Sequence, residues 1–211
     1  MTKAALKVPV KKRTASKEER QQQLIQATIR SVARNGLSDT TMSTVASEAG
    51  LSQGIINLHF QSKDRLLVET LKYLSEQYRE TWENAVRQAG DSPADKLSAM
   101  VAIDFTAPLC HPNKLAVWFA FWGESKSRPT YRKLCAARDR AYREEMVQVC
   151  EHLVEEGGYR DIDAATVAAG LSAMTSGLWL DLLTSPRSMT RQRAKQICRT
   201  YLATTFPGHF S

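Results

Sequence analysis

The chain has 211 residues, 43% of them hydrophobic, and a net charge of +7, of which residues 1–65 carry +6 (eleven Lys/Arg against five Asp/Glu). No apolar run approaches the ~20 residues of a membrane span, the basic residues 1–13 lack the apolar core of a signal peptide, and Cys110, Cys135, Cys150 and Cys198 have no metal-ligand spacing. These features predict a cytoplasmic protein with reduced thiols, no membrane partner, no metal and no cofactor, whose basic first 65 residues suit phosphate neutralisation.

Residues 1–15 read as a basic arm with the cluster Lys11-Lys12-Arg13. It could follow a DNA backbone or minor groove, or simply keep the chain soluble. Ser16 is an N-cap, with Glu18 and Glu19 in the first turn where the helix dipole favours them. That helix runs to about Asn35, offers Leu24, Ile25, Ala27, Ile29 and Val32 to a core, and closes at Gly36. Residues 40–60 read as two short helices. Met42, Val45, Ala46 and Ala49 recur at helical spacing. Gly50 ends the first helix in a left-handed conformation, and Ser52 caps the second. The second carries Leu51, Ile55, Ile56 and Phe60 toward a core and leaves Gln53, Asn57 and His59 free to hydrogen-bond. The link Gly50-Leu51-Ser52 is too short for the helices to lie side by side. They should cross steeply, as in a helix-turn-helix whose second helix enters the major groove of double-stranded DNA. A helical hairpin without DNA contact is the bland alternative.

Ser62 caps a fourth helix with Lys63 in its first turn. A cation there opposes the helix dipole, which makes sense if a phosphate docks against the free N–H groups and Lys63 together. A lysine pointing into water is the alternative. Arg30, Arg34 and Lys63 are further cations that a solubilising tail does not explain. The fourth helix continues through Leu66, Leu67, Leu71 and Leu74 to about Gln88, and a break follows at Ala89-Gly90-Asp91-Ser92-Pro93. Further helices are expected over 93–107, 113–126, 129–156, 163–185 and 190–206. There is no strand-like alternation and no internal repeat. The predicted fold class is all-α: a basic arm (1–15), a three-helix head with the helix-turn-helix (16–65) and a larger helical body (66–211).

In the body, Trp118 and Trp122 share one helix face, with Phe121 beside them, and Trp179 lies in another helix that could face them. Trp faces attract cations, and an aromatic cage suits quaternary ammonium. Asp104, Glu124 and Asp181 are candidate carboxylates for such a cation. Core packing is the alternative for each Trp. In the last two helices Ala168, Ala169, Gly170, Ala173 and Gly177 allow close approach, while Leu171, Leu178 and Leu182 supply apolar surface. Two such helices from each subunit would form a four-helix bundle across a two-fold axis; an ordinary internal pair is the alternative.

The string AGLSQGIINLHFQSKDRLL resembles the signature of the TetR family of dimeric transcriptional repressors. The resemblance rests on Thr40-Thr41, Ala49-Gly50, Ser52, Gly54, His59-Phe60, Lys63 and Leu66-Leu67. Asn57 departs from it, since the family most often has a phosphate-contacting Tyr there. The segments Ala120-Phe121-Trp122 and Gly177-Leu178-Trp179 resemble those of the choline-responsive BetI-type regulators of glycine betaine synthesis. The resemblance implies operator-DNA contacts from Thr41, Ser52, Gln53, Gly54, Asn57, His59 and Lys63. It also implies a homodimer and a small-molecule effector, either choline or another cationic or apolar compound. Trp118, Phe121, Trp122 and Trp179, with Asp104, Glu124 and Asp181, would receive it. An enzyme is not expected. His59, His111, His152 and His209 have no identifiable nucleophile or carboxylate partner, and there is no Gly-rich phosphate loop. A helical interaction module without DNA is disfavoured by the charge split.

Overall fold

The computed structural model describes residues 16–210, which hold nine α-helices and no strand. The basic arm expected over 1–15, with its Lys11-Lys12-Arg13 cluster, lies outside the described residues. The first helix, α1 (Lys17–Asp39), begins in a reciprocal cap: Ser16 Oγ accepts the Glu19 N–H, and the Glu19 carboxylate accepts the Ser16 N–H. The backbone leaves the helix at Gly36 (φ 76°), as the glycine predicts, and resumes for a short turn to Asp39. Next come α2 (Met42–Ala49), α3 (Gln53–Phe60) and α4 (Lys63–Gln88). Leu24, Ala27, Val45, Ala46, Ile56, Phe60 and Leu66 are buried between these helices.

Two expectations about charge need correction. Arg30 and Arg34 bracket Glu48 at 2.7 and 3.0 Å, so they tie α1 to α2 rather than standing free for phosphate. The two guanidiniums in turn hold the Glu48 carboxyl below its usual range, against its own desolvation. The positive charge is also less evenly spread than the total suggests. Lys3, Lys7, Lys11, Lys12 and Arg13 belong to residues 1–15, so residues 16–65 hold six Lys/Arg against five Asp/Glu.

The body comprises α5 (Pro93–Ile103), α6 (Pro112–Glu124), α7 (Pro129–Gly157), α8 (Ala164–Thr184) and α9 (Arg191–Thr205). The α4 helix runs from the head into the body and packs on α5 and α7, while α6 packs along α1 and against α8. The head therefore meets the body along two routes.

The helix expected over 93–107 stops at Ile103. Four residues after Asp104 stands Pro108, which has no N–H to give the Asp104 carbonyl. The indole N–H of Trp179 donates to that carbonyl instead, at 2.7 Å, and the Thr106 hydroxyl donates to the Ile103 carbonyl. Asp104 is thereby left at a helix end, pointing inward.

The α8 helix corrects two more expectations. Its mean hydropathy of 1.2 over 18 residues makes it long and apolar enough to cross a membrane by length and composition, although only a third of that stretch is buried. The apolar content comes from five Leu, with Val167, Met174 and Trp179, and from five Ala spread around the helix. Ala168, Leu171 and Leu178, expected at a subunit interface, lie in the chain's own core. The half-buried Gly170 faces α9, where a Cβ would meet the Tyr201 hydroxyl at 3.1 Å. Ala165, Ala169, Ala173 and Gly177 form the exposed stripe, four residues apart, and Leu180 beside it is 45% exposed.

Candidate functional site

Two places hold candidate functional side chains. The first is the outer face of α2 and α3. Thr41 caps α2 through its hydroxyl, which accepts the Thr44 N–H at 3.1 Å, and Thr44 returns the bond. Gly50 is left-handed (φ 66°), and the N–H of Leu51 reaches back to the Ala46 carbonyl. Ser52 stands at the N-cap of α3, but its hydroxyl caps no N–H and is exposed. Gln53, Gly54 and Asn57 are exposed together on one stripe of α3, while Ile56 and Phe60 are buried on the other. A Cβ at Gly54 would meet only the Ser52 hydroxyl, at 3.8 Å. Nothing inside the protein requires glycine there, and its bare backbone is exposed.

Two expected contact residues are engaged internally. Lys63 Nζ donates to the Ser38 carbonyl at 2.8 Å, joining the start of α4 to the end of α1. His59 is half-buried against Phe60, and its Nδ1 has no partner among the described residues. Sequence reasoning missed Leu58, which is 78% exposed on the same stripe as Gln53, Gly54 and Asn57. Its spacing, one residue after Asn57 and four after Gly54, was the available signal.

The second place is a cavity of about 180 Å³ where α4, α7 and α8 meet the end of α5. Asp104 lies at its floor, 1% exposed. Its Oδ1 accepts the Tyr78 hydroxyl at 2.8 Å and its Oδ2 the Tyr142 hydroxyl at 3.2 Å. Burial pushes the Asp104 carboxyl up to about 7, against the opposing pull of Tyr78, Arg138 and Tyr142. Burial and the Asp104 charge push both tyrosines well above their ordinary value. Trp179 closes one side, edge-on to Tyr78 and stacked on Trp122 with centroids 6.4 Å apart. Behind it Trp118 and Trp122 lie 6.2 Å apart. The guanidinium of Arg138 reaches in from α7 over Tyr78, Trp118 and Trp122.

Aromatic faces around a buried carboxylate suit a desolvated cation. The cysteines lie outside the cavity lining, and burial pushes the thiols of Cys110, Cys135 and Cys198 up to about 11 and that of Cys150 to about 12.

Residues 24–70 match the family described as bacterial regulatory proteins, tetR family, and residues 93–207 match the BetI-type transcriptional repressor C-terminal domain. The chain belongs to the TetR family. Curated relatives carry the name HTH-type transcriptional regulator BetI. One from Burkholderia mallei is 30% identical over 189 residues, 88% of this chain and 93% of its own. Another from Burkholderia thailandensis is 34% identical over 167 residues, 78% and 82% of the two chains. The structure of a transcriptional regulator from Pseudomonas aeruginosa PAO1 superposes with a TM-score of 0.80 at 32% identity, covering 92% of this chain and 93% of that one. A regulator from Saccharomonospora viridis, solved in complex with choline, shares the fold with a TM-score of 0.78 at 24% identity, covering 88% and 96%. This TetR-family chain is therefore a DNA-binding transcriptional regulator and not an enzyme.

Of the effector residues expected in this TetR-family body, Asp104 and Trp179 line the cavity. Trp118 and Trp122 form its aromatic backing. Three others lie elsewhere. Phe121 is turned onto Tyr131, 4.9 Å between centroids. Glu124 sits beside Arg128, and Asp181 is exposed. Glu124 and Asp181 each follow a cavity-side Trp by two residues, a rotation of about 200° around the helix. Phe121 precedes Trp122 by one, about 100° away. Tyr78, Arg138 and Tyr142 were missed. Tyr78 and Trp82 are four apart on α4 and Arg138 and Tyr142 four apart on α7, but the charged surroundings of both pairs give no sign of a cavity.

Proposed function

We propose that the chain is a homodimeric repressor whose operator affinity falls when a quaternary ammonium effector, choline in the first instance, enters the Asp104 cavity. It would control genes for converting choline to glycine betaine and act in the cytoplasm. The observation that carries the effector reading is the buried Asp104 carboxylate held between Tyr78 and Tyr142 and walled by Trp179. The BetI names of the curated relatives and the choline bound by the Saccharomonospora viridis regulator support it.

In this reading the chain divides into an arm (1–15), a DNA-binding head (16–65) and an effector and dimerisation body (66–211). The exposed small-residue stripe of α8, with α9 beside it, forms the subunit interface. Each head places α3 in a major groove, and the two-fold axis sets their spacing. Gln53 and Asn57 face the bases and phosphates, Gly54 lets the backbone come close, and Ser52, Thr41, His59 and Lys63 serve the phosphate backbone. Effector shifts α4 through Tyr78, and only a difference in its affinity for the two head spacings changes DNA binding. A mobility-shift titration of promoter DNA with and without choline tests this. Loss of the shifted band at rising choline supports it, and a band indifferent to choline removes the effector assignment.

A further inference from the structure

The aromatic faces suited to a cation already face one, supplied by the chain itself. The Arg138 guanidinium carbon lies 4.7 Å from the ring centre of Tyr78, 4.4 Å from that of Trp118 and 5.4 Å from that of Trp122. The Arg138 side chain is only 8% exposed. Its Nε and Nη2 donate to Asp139 Oδ1, but Nη1 is buried with no partner among the described residues. A buried donor left unmet costs free energy. The guanidinium nonetheless lies between the rings, where attraction to their faces and to the nearby Asp104 charge offsets that cost.

The rings it touches belong to the two routes between head and body. Tyr78 is on α4, which starts directly after α3. Trp118 and Trp122 are on α6, which packs along α1. Arg138, from α7, therefore clamps α4 to α6.

We infer that Arg138 is an internal occupant of the effector site: its guanidinium stands where the effector's cationic group binds, and a quaternary ammonium ligand enters by displacing it. The inference rests on the cation-cage reading above and adds a competitor to it. Two unit cations cannot share one desolvated cage, because their repulsion is weakly screened there. The Arg138 stem is long and flexible, and Asp139 and Arg143 at the cavity edge mark the way out toward solvent. A displaced guanidinium no longer clamps α4 to α6. The two states then differ in a contact that links both routes to the head, which is the differential an effector needs. A permethylated ammonium exchanges well against a guanidinium because neither holds water as strongly as a primary ammonium does.

The test measures tetramethylammonium and ethylguanidinium binding to the full chain by calorimetry and Trp fluorescence, with circular dichroism and melting to establish folding. Arg138→Met keeps the stem and removes the charge; it should bind tetramethylammonium roughly tenfold tighter than wild type, the scale of one desolvated cation–ring contact. Arg138→Ala should gain binding of ethylguanidinium, which wild type should not bind, and tetramethylammonium should compete it off. Should either variant fail to fold, Arg138→Lys, which keeps the charge on a more hydrated head, should still bind tetramethylammonium more tightly than wild type. If wild type binds tetramethylammonium and folded variants bind it equally or more weakly, Arg138 is no competitor and the inference is overturned while the cage stands. If no folded form binds either cation, the cage reading falls and takes the inference with it.

Discussion

Tyr78 donates its phenolic hydrogen to Asp104 Oδ1 across 2.8 Å, which joins the helix leaving the DNA-binding head to the carboxylate at the centre of the body. Tyr142 donates to the second oxygen and also lies within bonding distance of the Met100 carbonyl. The carboxylate is thus held from α4 and α7 at once, and its charge state bears on both helices.

The first prediction concerns pH. Burial raises the Asp104 carboxyl from 3.8 to about 7. Between those values the native protein holds a proton that the unfolded chain has released, so this group's contribution to stability is lost as pH rises through the window and levels off above it. The ionised form is the one that attracts a cation. Choline affinity should therefore increase with pH up to about 7, by at most roughly tenfold per unit, and then flatten. Calorimetric titration across that range checks this. Asp104→Asn should bind choline weakly and with little pH dependence; an unchanged pH profile in that variant would place the titrating group elsewhere.

A second prediction follows from the indole bond to the chain reversal after α5. The Asp104 carbonyl accepts the Trp179 N–H at 2.7 Å, and Pro108 offers it no helical alternative. Trp179→Phe keeps an aromatic ring but leaves a buried carbonyl unmet, at a cost of about 1–3 kcal/mol. Urea unfolding should show the loss. A loss well under that range would mean that the carbonyl finds water.

The outer stripe of α3 gives a third. Gln53 can pair with adenine N6 and N7, and Leu58 presents an exposed apolar side chain suited to a thymine methyl. Gln53→Ala should relax selection at one symmetric operator position by about 1–3 kcal/mol. Leu58→Ala should weaken preference for a thymine without lowering the melting temperature. Site selection from random DNA would show both, and identical selected sites would place these side chains outside the groove.

Lys63 carries a fourth, because its ammonium is already bonded to the Ser38 carbonyl. If that ammonium also meets a phosphate, Lys63→Ala should weaken specific and random DNA alike and reduce the salt slope by roughly 1. A slope equal to that of wild type would limit Lys63 to holding α4 against α1.

The head was legible in the sequence because its signals are local. Ser16, Gly36, Gly50 and Ser62 fix helix ends, while the cap expected of Ser52 does not form. Indole spacing likewise pointed to Trp118, Trp122 and Trp179. The cavity itself was not legible. It is assembled from α4, α7 and α8 and the end of α5, and no spacing within one helix reveals that Tyr78, Arg138 and Tyr142 converge on Asp104. Glu124 and Asp181 were misplaced because closeness along the chain was read as closeness in space. Leu171 and Leu178 were misassigned for a related reason: composition marks a helix as apolar without saying which face its own chain covers.

If a cation in the body governs DNA binding by the head, operator affinity must respond to its charge. The deciding measurement is that affinity in the presence of choline and, separately, of the uncharged analogue in which carbon replaces the nitrogen. Choline should lower operator affinity, and the analogue, equal in shape but without charge for the rings and Asp104, should leave it nearly unchanged. Equal release by both compounds, or release by neither, would contradict that dependence.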